Sequence, residues 1–236
     1  MNSLEILNIG GCYNLTSISS NLFKLENLKE LDLSRNSLLF EKDDFISYSV
    51  YSDNHSSTED KSGDLTSFVS YKSLKKLIIR GNVLSVFPRF FCNFINLEEI
   101  DISINLFEEI PYAIYSFTNL EVLNISYNRI KKITIENGMF NNLLRLYLQR
   151  NRITELSTSA NALRNLETLD LSNNNFSKLD KNIFQLKPLN NVLVFGNIFT
   201  EIEKFPCERG DLMSLVLTLK DISVLPNIFC YNGIHE

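Results

Sequence analysis

The stretch LEEIDISINLF (97–107) returns as LEVLNISYNRI (120–130), LLRLYLQRNRI (143–153) and LETLDLSNNNF (166–176). The opening leucine of each copy belongs to a column: Leu74, Leu97, Leu120, Leu143, Leu166, Leu189 and Leu212, always 23 residues apart. Two earlier copies start at Leu4 and Leu28. Nine copies in one register identify a chain built by stacking one small unit. Such a unit cannot bury its apolar face alone, so neighbouring copies must cover each other.

Each copy has the form L-x-x-L-x-L-x-x-N-x-L. Its x-L-x-L-x core alternates like a short strand, leucines inward and x residues outward. The asparagine column runs Asn36, Asn82, Asn105, Asn128, Asn151, Asn174 and Asn197. An amide both donates and accepts, so stacked asparagines at a tight bend are expected to form a buried polar ladder. The second half of a copy is seen in VFPRFFCNFINL (86–97) and EIPYAIYSFTNL (109–120). Its apolar residues recur about every third position, which predicts a short 3₁₀ or α turn on the convex side. The expected fold is therefore α/β: a right-handed solenoid with a parallel concave sheet and short convex turns. It forms one domain over 1–236.

The pattern breaks in three places. Cys12 takes the asparagine position of the first copy, which is one residue longer than the rest; Lys220 takes it in the last, where the ladder is expected to end. Leu28 to Leu74 spans 46 residues, two periods, with few strand leucines between. Residues 40–64 hold Glu41, Asp43, Asp44, Asp53, Glu59, Asp60 and Asp64 against Lys42 and Lys61. Two readings remain, a polar acidic loop or a degenerate tenth coil, and composition favours the loop. No cap is recognisable at either end, although solenoids need them. That is expected of a piece of a longer protein, of ends paired with a partner, or of a trimmed chain.

Composition sets further bounds. The net charge of -5 resides in the 40–64 segment, so no strong whole-chain field favours nucleic acid. The start MNSLEILNIGG has no basic or apolar leader, and no apolar run approaches the ~20 residues of a membrane helix. We expect an intracellular, cytoplasmic protein with no membrane span. The four cysteines (Cys12, Cys92, Cys207, Cys230) show no CxxC pair or Cys/His cluster and are expected to be unbridged thiols. The two histidines, His55 and His235, lie off the repeat scaffold, and no nucleotide-binding or metalloprotease motif is present. We expect no enzyme, no metal and no cofactor.

The outward x positions define a concave face. One row reads Asp32, Ile78, Asp101, Asn124, Tyr147, Asp170, Leu193, Val216. The next reads Ser34, Arg80, Ser103, Ser126, Gln149, Ser172, Phe195, Thr218, and a third Arg35, Gly81, Ile104, Tyr127, Arg150, Asn173, Gly196, Leu219. Tyr127, Tyr147, Arg145 and Arg150 cluster mid-face, and tyrosine and arginine are enriched at binding hot spots. Leu193, Phe195, Val216 and Leu219 make an apolar patch where polar residues are expected. Arg80 and Asp101 complete the candidate set, although Lys75, Lys76 and Arg80 beside Glu98, Glu99 and Asp101 read first as cross-strand pairing.

The L-x-x-L-x-L-x-x-N-x-L-x-x-L-P-x-x-I-x-x-L form resembles the intracellular 23-residue leucine-rich-repeat proteins of the Ras-binding, Scribble-like and plant Ras-group type. The resemblance covers nearly the whole chain. It implies a scaffold or adaptor that binds another protein through the concave face, a small GTPase or signalling enzyme by family analogy. The alternative is a targeting or regulatory module of a larger enzyme or signalling protein.

Overall fold

The computed structural model describes residues 3–19, 22, 25–39, 72–159, 161–179, 182–183, 186 and 188–200, together with the backbone of one further strand, Ser214–Val216. The choice between loop and tenth coil for 40–64 lies outside these residues, as do Cys207, Lys220, Cys230 and both histidines.

Among the described residues, nine three-residue strands form one parallel sheet. They are β1 (Ile6–Asn8), β2 (Glu30–Asp32), β3 (Lys76–Ile78), β4 (Glu99–Asp101), β5 (Val122–Asn124), β7 (Arg145–Tyr147), β9 (Thr168–Asp170), β10 (Asn191–Leu193) and β11 (Ser214–Val216). Registers repeat the sequence period: Glu99 faces Val122, Val122 faces Arg145, and Arg145 faces Thr168. The exception keeps the phase, since Glu30 of β2 faces Lys76 of β3, two periods away.

In the sheet from β2 to β10 the middle residue of each strand points into the core. Leu31, Leu77, Ile100, Leu123, Leu146, Leu169 and Val192 are all buried. Each coil adds further inward side chains. In the coil beginning at Leu97, these are Ile102, Phe107, Ile110, Ile114 and Phe117. The core is thus a continuous apolar column along the solenoid, with its driving force spread evenly over the coils.

The asparagine ladder is present and regular. Asn128 Nδ2 donates to Ile125 O of its own coil and to Ile102 O of the preceding one, both at 3.1 Å. Its Oδ1 accepts from Phe107 N at 3.0 Å. Asn105, Asn151 and Asn174 repeat this set of bonds. Each amide thereby satisfies at least three backbone groups that the bend would leave unpaired. Exposed Cys12 takes no part as a side chain; its backbone N–H donates to Asn36, which opens the ladder.

The convex side divides by sequence. Two 3₁₀ turns, Arg89–Asn93 and Tyr112–Ser116, follow Pro88 and Pro111. The next two coils depart from the expected turn. They form a second parallel sheet from β6 (Lys132–Ile135) and β8 (Glu155–Thr158). Thr134 and Ser157, which face each other in it, occupy the positions of the two prolines. Proline has no N–H and cannot join a ladder, so its absence lets these coils pair. Their side chains also alternate with period two: Ile133, Ile135, Leu156 and Thr158 are buried, whereas Lys132, Thr134 and Glu155 are exposed.

Candidate concave binding face

The rows expected to face solvent differ in what they expose. The Asp/Asn row closes the strand ends. Asp101 Oδ1 accepts from Ser103 N at 2.8 Å, and Oδ2 accepts from Asn124 Nδ2 at 3.1 Å. Asn124 Oδ1 accepts from Ser126 Oγ at 2.7 Å, and Asp170 Oδ1 from Ser172 Oγ at 2.6 Å. These side chains replace a backbone partner at the point where the strand turns. Asp101 is therefore held by its own fold before any partner arrives.

The row after it is corrected in part. Ser103, Ser126 and Ser172 are buried rather than solvent-facing. The Ser126 and Ser172 hydroxyls fold back onto the amide or carboxylate two residues earlier, whereas Ser103 reaches Asp101 through its backbone N–H alone. Arg80 and Gln149 in the same row are half-buried. Arg80 Nε, Ser103 Oγ and Gln149 Oε1 are buried without hydrogen-bond partners among the described residues. The basic cluster behaves as expected for its lysines: Lys75 pairs with Glu98 at 2.6 Å and Lys76 with Glu99 at 2.9 Å. Such exposed pairs contribute at most about 1 kcal/mol each. Arg80 forms no ion pair among the described residues, because Asp101 is engaged by the turn.

The third row has a property the sequence did not announce. Arg35, Ile104, Tyr127, Arg150 and Asn173 all have φ between 52° and 55°, in the left-handed region. Gly81 and Gly196 hold the same position at φ 69° and 70°. This region costs an L-residue about 1–2 kcal/mol, and most for a β-branched one. Ile104 is the extreme case, β-branched and 41% exposed. Ile104→Asn is expected to raise stability by about 1 kcal/mol, because asparagine tolerates this conformation and little burial is lost. A urea midpoint that stays level or drops in the variant would show that no strain is held there.

Tyr127 and Arg150 occupy neighbouring coils in this row. The Arg150 guanidinium stands 5.3 Å from the Tyr127 ring centroid, in cation–π geometry. Arg145 is exposed on β7, with Tyr147 half-buried two residues on. The structure thus brings Tyr127, Arg145, Tyr147 and Arg150 onto adjacent coils. Leu193 on β10 and Phe195 just after it are half-buried near the C-terminal end of the described coils. Val216 ends β11, and Leu219 lies outside the described residues. Ile104, beside Tyr127 in the third row, is an exposed apolar residue that sequence reading did not single out. Its signal was its place before the asparagine, where glycine or asparagine costs least. Among the described residues no group of His, Cys, Asp and Glu is placed to hold a metal, and no helix is long and apolar enough to cross a membrane. Cys92 is half-buried.

Comparison with known proteins agrees with this architecture. The family model described as Leucine Rich repeats (2 copies) matches residues 118–161, and the Leucine Rich Repeat model matches 27–48 and 165–186. No curated protein matches. Among solved structures, internalin C2 from Listeria monocytogenes superposes with a TM-score of 0.58 at 20% identity, covering 90% of this chain and 80% of that one. A leucine-rich-repeat protein from Leptospira interrogans gives 0.57 at 24% identity, covering 97% of this chain and 60% of that one.

Proposed function

We infer that this chain, a leucine-rich-repeat protein, is a scaffold or adaptor that binds a partner protein with its concave face, inside the cell and without catalysing a reaction. Repeats of this kind generally mediate protein–protein interaction, and the finer assignment rests on one observation. Tyr127 and Arg150 are stacked, exposed and held in the left-handed region, beside Arg145 and Tyr147. Glycine would serve the fold better at both left-handed positions, as Gly81 and Gly196 illustrate. Large side chains at strained, exposed positions favour recognition over stability. Leu193 and Phe195 extend the same face, and Arg80 and Asp101 flank it on the earlier coils.

The reading is tested by affinity capture followed by mass spectrometry. Intact protein and the Tyr147→Ala/Arg150→Ala variant are compared, each first shown to be folded by circular dichroism. The variant is expected to lose specific partners at least about tenfold, as removal of two hot-spot side chains would. Equal recovery of the same partners by both proteins would remove the concave face from consideration.

A further inference from the structure

Beside the concave face the chain passes through the asparagine bend, and two coils carry an uneven charge there. From the residue before the asparagine to the fourth after it, the coils of Leu120 and Leu143 hold Arg129, Lys131, Lys132, Arg150 and Arg152. They hold a single acid, Glu155. The lysines are matched: Lys131 pairs with Glu108, and Lys132 with Glu155, each at 3.0 Å. The arginines are not. Among the described residues no carboxylate is within ion-pair distance of Arg129, Arg150 or Arg152.

These three side chains are exposed, and Arg150 and Arg152 flank Asn151 in one coil. Arg129 and Arg152 occupy the same row of adjacent coils, tied by Arg129 N to Phe107 O at 2.8 Å and Arg152 N to Ile130 O at 2.9 Å. Adjacent rungs of such a ladder lie about 4.8 Å apart. Nearby Glu108 senses the patch. The hydrogen bond and charge of Lys131 hold its carboxyl below the usual range, and Arg129 and Arg152 add to the effect.

Folding has no need of arginine in that row. Other coils place Ser37, Val83, Leu106, Asn175 and Ile198 there. Two guanidinium groups on neighbouring rungs repel each other, at some cost in stability. Elsewhere the chain matches cations across coils, as in Lys29–Glu5 at 2.9 Å. A guanidinium offers a planar fork that suits a carboxylate, and the Tyr127 ring under Arg150 supplies apolar surface beside it.

We propose that the rim formed by Arg129, Arg150 and Arg152 docks an extended, glutamate- or aspartate-rich segment of a partner protein. A polyphosphate chain fits less well. Glu121 on the Leu120 coil itself and Glu167 on the next coil have no ion-pair partner among the described residues. A long polyanion would run past these carboxylates, whereas a short acidic segment can be spanned by the three arginines, with Glu108 and Glu155 already paired to Lys131 and Lys132. The rim shares Arg150 with the concave face, while Arg129 and Arg152 lie outside the set inferred for that role.

The 236-residue protein is titrated into a fluorescein-labelled synthetic peptide of alternating glutamate and leucine, read by anisotropy. Saturable binding is expected, weakening at least about tenfold between about 0.05 and 0.5 M salt. Arg129→Glu/Arg152→Glu should weaken it by about a hundredfold, and the neutral Arg129→Gln/Arg152→Gln by about tenfold, both keeping the wild-type circular dichroism spectrum. Tyr147→Ala should leave peptide binding within about twofold, which separates this site from the concave one. The proposal is overturned if the peptide does not bind saturably, or if the charge-reversed protein binds it equally well. Tighter, arginine-dependent binding of phosphatidylserine vesicles or of a single-stranded oligonucleotide also overturns it, by assigning the rim to a lipid or nucleic acid.

Discussion

Asn128→Ala is expected to lower the stability of the solenoid by about 3–5 kcal/mol. The number comes from counting partners. The Asn128 amide donates to Ile125 O and Ile102 O and accepts from Phe107 N, and all three groups lie in the buried interior. Alanine removes every one of these bonds and returns no water. Each stranded group then costs about 1–3 kcal/mol. Asn128→Asp is the informative companion, since it keeps an acceptor for Phe107 but turns a carboxylate toward two carbonyls. It should be at least as damaging near neutral pH and partly relieved in acid, where the protonated carboxyl can donate. Urea denaturation followed by circular dichroism measures both. A loss below about 1 kcal/mol for alanine would mean that water enters the bend and the ladder is dispensable.

The second large effect is expected on the convex side. Phe91 is fully buried in the 3₁₀ turn Arg89–Asn93. Its ring lies 5.7 Å from that of Phe87 and 5.9 Å from that of Phe94, and Phe87 reaches Phe117 of the next coil at 6.4 Å. Truncation to alanine removes a ring's worth of contacts and leaves a cavity that the rigid turn cannot collapse. The cost should be about 3–5 kcal/mol, with Phe91→Leu costing clearly less. The contrast with Asn128→Ala is diagnostic. Phe91 packs against Phe87, whose ring reaches Phe117 of the next coil, so its loss should broaden the unfolding transition by loosening that junction. A single sharp transition at the wild-type midpoint would rule out the aromatic cluster as a coupling element.

Much of the architecture could be read directly from the chain. The period gives the strand register, because Glu99, Val122, Arg145 and Thr168 pair at the spacing of the leucines. The asparagine column gives the ladder, because only an amide at that bend satisfies donors and acceptors together. Other features were hidden for identifiable reasons. Burial of Ser103, Ser126 and Ser172 depends on a turn that side chains two residues earlier create, a relation that row-by-row reading misses. The β6–β8 ladder was masked by expecting one convex form for all coils, although the missing prolines at Thr134 and Ser157 were visible. For the candidate site, sequence placed Tyr127, Tyr147, Arg145 and Arg150 on one face. It could not give the left-handed backbone beneath Tyr127 and Arg150, which a row of mixed glycine, tyrosine, arginine and isoleucine obscures.

The skipped period between β2 and β3 bears on the route by which the chain folds. Almost every contact between coils closes a loop of 23 residues, so assembly can start at many points and spread like a zipper. Only the joint from Glu30 to Lys76 closes a loop of 46. Doubling a loop adds about 0.6 kcal/mol of closure entropy, which disfavours nucleation across that joint and slows its closing. The coils from Leu74 onward keep the 23-residue spacing, and the first two coils are expected to join them later, as a separately closing segment. The boundary between early and late structure is thus written into the spacing of the leucines.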